Sequence, residues 1–274
     1  MNDRFGLERS FLKANWDKVT GTESDQAKGV PAPLQEAPPA PDADIIPLPD
    51  VAAATTTAAT AAATVAATAT PTTVTATGGG GNGENAAESF ARLLLTRKSR
   101  RKFSDRALSL AEVAYLAWSC EGVRENKGKF SFRTVPSGGA RHPLDLYLYA
   151  HNVEGLPVGL YRYLPVEHAL VLERPGDDSR ELDRAIRGQF WDAACVFLWA
   201  AVPYRSEWRY GKAAQKLVAI DAGLSCENLY LACEALGLGT CAIGAYDQDR
   251  LDAWLGLDGE DMFALLAAPV GKPL

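Results

Sequence analysis

The sequence has no C-x-x-C pair, no long hydrophobic run and no excess of positive charge, and each absence removes a class of protein. Its five cysteines, Cys120, Cys195, Cys226, Cys233 and Cys241, are odd in number, which argues against a disulfide framework and fits a reducing cytoplasm. The three histidines, His142, His151 and His168, lack ligand spacing and no carboxylate cluster joins them, so no metal site is expected. The start, Met1 to Arg9, has no apolar core of secretory-signal length. Residues 51–77 carry no charge, yet they are alanine and threonine rather than leucine and valine, so no membrane-spanning helix is expected.

The net charge of -6 sits entirely in the N-terminal part. Residues Met1 to Phe90 hold 5 of the 28 basic and 11 of the 34 acidic residues, leaving 23 of each in the rest. A balanced remainder lacks the broad positive field that draws nucleic acid or an anionic membrane. Small molecules and proteins are the partners that remain.

What is present divides the chain in three. Residues 1–50 form a proline-rich leader: one helix-like stretch, Leu7 to Val19, precedes Pro31, Pro33, Pro38, Pro39, Pro41, Pro47 and Pro49, a density that forbids regular structure. Residues 51–84 are an Ala/Thr/Gly-rich low-complexity linker, whose composition buries too little apolar surface to offset its ordering entropy. Residues 85–274 have globular texture, and a stretch of about 190 residues is enough for one core.

Within that part an apolar-faced helix runs through Phe90, Leu93 and Leu94 and ends in basic residues. Ser109-Leu-Ala-Glu112 is a capping-box pattern, and Val113, Leu116, Ala117 and Cys120 recur at helical spacing until Gly122. Strands are expected at Leu144 to Tyr149, at Gly159 to Leu164 and Ala169 to Glu173 as a hairpin, at Cys195 to Val202, at Thr240 to Gly244 and at Phe263 to Val270. A helix from about Tyr210 to Leu236, apolar almost all round, implies burial inside a domain or a dimer. Gly237 and Gly239 end it, and Asp247 caps a short helix to Leu255. The sum is an α+β fold with a mainly antiparallel sheet flanked by helices around a long buried central one.

Three segments could carry chemistry. The run Arg97-Lys-Ser-Arg-Arg-Lys-Phe103 first reads as a solvated cationic helix end complementing the macrodipole. Its other reading is phosphate capture, with Arg97 and Arg101, four apart, converging with Ser99 on one dianion. Pro136-Ser-Gly-Gly-Ala-Arg-His-Pro143 is a turn before a strand, or a backbone lying close to a flat ligand. Gly237-Leu-Gly-Thr-Cys-Ala-Ile-Gly-Ala-Tyr246 is a helix cap and strand end, or a turn offering the amides of Gly244 and Ala245. The cysteines read as small core residues, and Lys272 as a solvated terminal lysine.

Taken together and in this order, these segments resemble the nitroreductase superfamily, and within it the SagB-type dehydrogenases that oxidise azoline rings in ribosomal peptides. The likeness extends over Asp221-Ala-Gly223, Glu227-Asn-Leu-Tyr-Leu231 and Val270-Gly271, about two thirds of the chain. It implies an intertwined homodimer with two FMN sites at the subunit interface. Arg97, Ser99 and Arg101 would hold the phosphate and ribityl oxygens, Pro136, Ser137 and Gly138 would lie along the isoalloxazine, and Gly244 and Ala245 would approach N5 and O4. At Arg209-Tyr-Gly211 the family usually shows a Lys-Tyr pair thought to remove the substrate proton; an arginine keeps its own proton, so Tyr210 could serve only if cations such as Arg209 stabilise its phenolate. The resemblance therefore implies a SagB-type dehydrogenase with Tyr210 and Arg209 at the chemistry. Two readings stand beside it: a nitro or quinone reductase using NAD(P)H as transient donor, for which no dinucleotide fingerprint is needed, and a non-catalytic flavin-binding subunit.

Overall fold

The computed structural model describes residues 24–51, 86–128 and 130–274. The expected helix over Leu7 to Val19, and all but the first residue of the expected linker, lie outside them. In chain order the elements are β1 (Ile45–Pro47), α1 (Ala86–Thr96), β2 (Leu108–Ser109), α2 (Leu110–Glu121), β3 (Val123–Asn126), β4 (Ser131–Arg133), β5 (Leu144–Ala150), β6 (Val153–Glu154), β7 (Gly159–Leu164) and β8 (Ala169–Pro175). Then follow α3 (Ser179–Ala185), β9 (Cys195–Ala201), α4 (Tyr204–Tyr210), α5 (Ala214–Ala235), β10 (Gly239–Thr240), α6 (Gln248–Leu255) and β11 (Phe263–Gly271). No helix among the described residues is long and apolar enough to cross a membrane.

Seven strands form one sheet in the order β1-β8-β7-β5-β9-β11-β10, and every neighbouring pair is antiparallel. The two-residue period of a strand sorts its side chains between two cores. Leu144, Leu146 and Leu148 of β5 join Phe197 and Trp199 of β9 in a core shared with α2 and α5. Tyr147, Tyr149, Val196 and Leu198 face the other way, toward α3 and α6. Trp199 donates its indole N–H to Ser225 Oγ at 2.8 Å, which fixes the register of α5 on β9. All five cysteines are buried and free.

One charge on β5 is matched rather than excluded. Arg205 of α4 closes a bidentate pair on Asp145 at 2.6 and 3.2 Å, with side chains 4% and 6% exposed. Removing one partner of such a pair strands the other in the core, at about 3–5 kcal/mol. Asp145→Ala is therefore expected to lose that much unfolding free energy, measured as a lowered denaturant midpoint at unchanged slope.

Local signals hold where they depend on neighbours in sequence. Ser109 Oγ accepts from Glu112 N at 3.2 Å while Glu112 accepts from Ser109 N at 2.7 Å, completing the capping box, and Gly122 ends α2. The β7–β8 hairpin forms as expected, and Asp247 caps α6.

Four expectations need correction. The proline-rich segment is not devoid of regular structure: Ile45–Pro47 pairs with β8 at the sheet edge, a place where a residue lacking an N–H is tolerated. The helix expected from about Tyr210 to Leu236 forms as α5 but starts at Ala214: Tyr210 ends α4 instead, and Gly211, at φ 51° and ψ -135°, separates the two helices. The strand expected over Thr240 to Gly244 is two residues plus an isolated bridge from Ile243 to Ala267. The basic run does not end a helix: α1 stops at Thr96, and Ser99 and Phe103 instead form bridges with Thr240 and Pro273.

Candidate active site

The basic run is laced to the end of the sheet. Arg100 N donates to Thr240 O at 2.9 Å beside the bridge at Ser99. Arg97 and Ser99 meet on the same residue, Tyr230 of α5: the guanidinium lies 5.3 Å from the ring centre and the hydroxyls are 3.1 Å apart. Tyr230 also accepts from Ala242 N at 2.8 Å, and burial raises its phenol pKa, so it stays protonated. Arg101 instead lies 5.8 Å over the Trp191 ring, and Arg100 turns away to Glu234 at 2.5 Å. Non-helical chain rises faster than the 1.5 Å per residue of a helix, so Arg97 and Arg101 are not stacked one turn apart. A shared anion would be reached through the length of their side chains.

The ledge continues through Thr240, whose hydroxyl donates to Pro269 O at 2.9 Å. Ile243 exchanges backbone bonds with Ala267 at 2.7 and 3.2 Å, after which Gly244 and Ala245 emerge exposed. Neither amide has a hydrogen-bond partner among the described residues, whereas the Ala245 carbonyl accepts from Gln189 Nε2 at 2.9 Å.

The Pro136 loop is tied to a different part of α5. Buried Asp221 accepts from Ser137 Oγ at 2.6 Å and from Gly138 N at 3.2 Å, with its carboxyl raised by burial against those two bonds. Ser137 Oγ in turn accepts from His142 N at 2.9 Å, so this side chain holds the loop's shape. Gly139 has φ 61°, and a Cβ there would overlap the Tyr210 hydroxyl oxygen and come within 3.2 Å of an Arg209 guanidinium nitrogen. A glycine is what lets the end of α4 touch the loop. The Arg209 guanidinium also lies 5.4 Å over the Tyr210 ring.

Arg97 and Ser99 thus share Tyr230, which also holds Ala242 two residues before Gly244, while Arg101 meets Trp191 and Ala245 meets Gln189; in the Pro136 loop it is Gly139, next to Gly138, that meets Arg209 and Tyr210. From Asp221 to Tyr230 the two halves are about 14 Å apart along α5. Lys272, expected to be solvated, sits 3.6 Å from Glu112 of the capping box. Cys241 is buried with its Sγ toward Ala242 O at 3.6 Å.

Asp221 and Tyr230 are the residues bonded to the candidate segments whose part sequence reasoning missed. A carboxylate inside an apolar helix signals a buried partner, although not which one. Gln189 and Trp191 gave no signal; Trp191 and Asp192 adopt left-handed φ values of 51° and 54° that only the fold imposes.

His142 tests the burial of the loop. Its Nε2 lies 3.2 Å from Ser131 O, its Nδ1 has no partner among the described residues, and burial with the nearby Arg133 charge pushes its pKa down to about 3. The unfolded chain binds this proton near pH 6.5 and the folded chain does not. Stability from this residue is therefore full above pH 6.5 and falls as pH drops toward 3, by roughly 5 kcal/mol at about 1.4 kcal/mol per pKa unit. His142→Asn, which tolerates the left-handed φ of 47°, is expected to flatten that slope in urea unfolding at stepped pH.

A two-faced antiparallel sheet, a cationic ledge with open amides and a glycine loop at the far end of one long helix describe an α+β protein, and the comparisons with known proteins give its class. The chain belongs to the nitroreductase family, whose family model matches residues 94–272. It is 31% identical over 184 residues to a Methanocaldococcus jannaschii protein named as a nitroreductase, covering 66% of this chain and 90% of that one. A solved Ralstonia eutropha structure titled as a nitroreductase is 26% identical, with a TM-score of 0.60 over 84% of this chain and 90% of that one. One from Anabaena variabilis, 24% identical, also has a TM-score of 0.60 over 70% of this chain, which spans only 39% of that longer one. The fold likeness extends to the E. coli microcin synthetase McbBCD complex with truncated pro-MccB17 bound, at 18% identity and a TM-score of 0.56 over 74% of this chain and 78% of that one.

Proposed function

We propose that this chain is an FMN-dependent dehydrogenase of the SagB type, a cytoplasmic homodimer that oxidises an azoline ring of a modified peptide. The observation that carries the proposal is the lacing of the basic run to the turn at Gly244 through Ser99, Arg100 and Thr240. Cations for a phosphate and unpartnered amides are thereby offered from one ledge.

The residues fit a flavin mononucleotide. Arg97, Ser99 and Arg101 would hold the phosphate and ribityl oxygens, and Pro136, Ser137 and Gly138 would line the ring. The Gly244 and Ala245 amides are donors suited to a ring that gains negative charge. When bound, FMN supplies two-electron hydride chemistry at N5. Arg209 keeps its proton at working pH and offers charge alone, so that Tyr210, in contact with Gly139, would take the substrate proton only as a phenolate that has first given its own proton to solvent and is held by that charge.

The two halves of the site lie about 14 Å apart along α5 within one chain. A two-fold pairing that sets α5 head to tail against its copy would join one chain's loop to the other's ledge. Phe90, Leu94 and Leu95 of α1, 51%, 52% and 64% exposed, and Ile220 and Leu224 of α5, 45% and 39% exposed, supply the apolar surface for it.

Arg209, standing where SagB-type proteins usually have lysine, favours a second reading as an NAD(P)H-dependent nitro or quinone reductase. The visible spectrum of the purified protein, with the flavin identified after denaturation, tests the cofactor. Stopped-flow mixing with NADH, NADPH and an azoline peptide then separates the activities. Reduction by the peptide is expected; reduction by a nicotinamide alone selects the second reading, and reduction by neither selects a non-catalytic flavin-binding subunit. A colourless monomer that takes up no FMN ends the proposal.

A further inference from the structure

We infer that Gln35, in the proline-rich segment before β1, is a positioning residue for the loop from Pro136 to His142, so that this segment belongs to the active site. The inference rests on the flavin reading above and adds a residue to the same site.

The loop is held in a conformation its residues disfavour. Ala140 and His142 take φ 51° and 47° next to Gly139 at 61°. A left-handed non-glycine residue costs about 1–3 kcal/mol and persists only where its surroundings impose it. The His142 end is imposed from within the fold, by Ser137 Oγ on its N–H and by Ser131 O near its ring.

The Ala140 end is held on its N–H by Ser137 O at 3.0 Å and on its carbonyl by the segment. The side-chain amide of Gln35 donates to the Ala140 carbonyl, and its oxygen accepts from Ser131 N at 2.9 Å and Ser131 Oγ at 3.1 Å. The backbone carbonyl of Gln35 accepts from buried Arg133 at 3.0 Å. One residue is thus fixed on β4 and reaches across to the strained carbonyl.

The same segment grips α4. Val30 O accepts from Trp208 Nε1 at 2.8 Å, and Gln26 N donates to Trp208 O at 2.9 Å. Arg141, next to Ala140, lies 4.8 Å over the Trp208 ring and donates to Arg205 O at 2.8 Å. Loop and helix end, which touch at Gly139 and Tyr210, are therefore clasped by one stretch of backbone. Freed from Gln35, Ala140 can relax out of the left-handed region, and the loop moves relative to Tyr210.

Gln35→Glu tests this. It keeps length and the acceptor facing Ser131, but sets a carboxylate oxygen against the Ala140 carbonyl in place of a donor. Three readouts are compared with wild type: FMN stoichiometry, the visible band of the bound flavin, and the flavin reduction rate with whichever of NADH, NADPH or azoline peptide reduces wild type. The expected result is full FMN occupancy and a melting midpoint within a few degrees of wild type, with a shifted flavin band and reduction at least tenfold slower. Glu36→Gln is the control, because Glu36 accepts from Val166 N at 3.1 Å and has no bond to the Pro136 loop among the described residues; it should match wild type. Gln35→Met, which lacks both polar groups, carries the comparison if the glutamate variant does not fold. A wild-type band and rate in the Gln35 variant that folds would overturn the inference and leave the flavin reading standing. A wild-type protein that binds no FMN would overturn both.

Discussion

Gly139→Ala is expected to slow flavin reduction by about 100-fold while FMN stays bound. The new methyl must occupy the place of the Tyr210 hydroxyl, at a backbone φ of 61° that alanine adopts at about 1–2 kcal/mol. The tyrosine is the softer of the two, since it ends the short helix α4 ahead of the break at Gly211. Its hydroxyl therefore moves off the loop, and displacements near 1 Å of a reacting group are worth about two orders of magnitude in rate. The stability change stays near the backbone cost, because the position is in a surface loop and not in either core. Stopped-flow reduction measures the rate and flavin absorbance the occupancy. A variant as fast as wild type would remove Tyr210 and the loop from the chemistry.

The second large effect falls on the cofactor. Charge-assisted hydrogen bonds are worth about 1.5–3 kcal/mol each, so Arg97→Ala combined with Arg101→Ala should cost about 3–6 kcal/mol of binding, a rise in FMN Kd of roughly 10²- to 10⁴-fold. The fold should survive, since these guanidiniums lie over the outer faces of Tyr230 and Trp191 and such contacts contribute about 0.5–1 kcal/mol. Titration of FMN fluorescence reads the affinity directly. Salt should also weaken FMN binding less in the double variant than in wild type. Arg100→Ala supplies the contrast: its charge is spent on Glu234, so FMN affinity should change far less. Equal affinities in wild type and double variant would move the phosphate elsewhere.

What could be read from the sequence was local. The Ser109 capping box, the Asp247 cap, the apolar run of β9 and the β7–β8 hairpin depend on residues a few positions apart, and the chain folds them as their patterns indicate. Elements that exist through distant partners were invisible. Arg97 to Phe103 looks like a helix end until Thr240 and Pro273 offer it backbone, and Ile45–Pro47 looks irregular until β8 lends an edge. The break at Gly211 was hidden because the residues around it fit a helix and one glycine does not announce its φ.

The site divides the same way. The three segments stood out in the sequence, but each carried two readings, since arginines, paired glycines and a turn after a strand serve solvated or structural ends as well as ligands. Their grouping was not legible. Ser137 needs Asp221 some eighty residues later, and Ser99 needs Tyr230 farther still. Nothing local reveals that Gln35 reaches Ala140, since a glutamine among prolines has no periodicity to mark it.

The prolines around β1 have a bearing on solubility. A wide antiparallel sheet ends in a strand whose outward carbonyls and amides invite a neighbouring molecule to add another. Here that rim is three residues long, closes on Pro47 and gives way to Pro49, while the opposite rim is the two-residue β10. The two terminal strands themselves therefore give foreign backbone little to pair with, which leaves the uncovered parts of β8 and β11 as the places where a sheet edge is open.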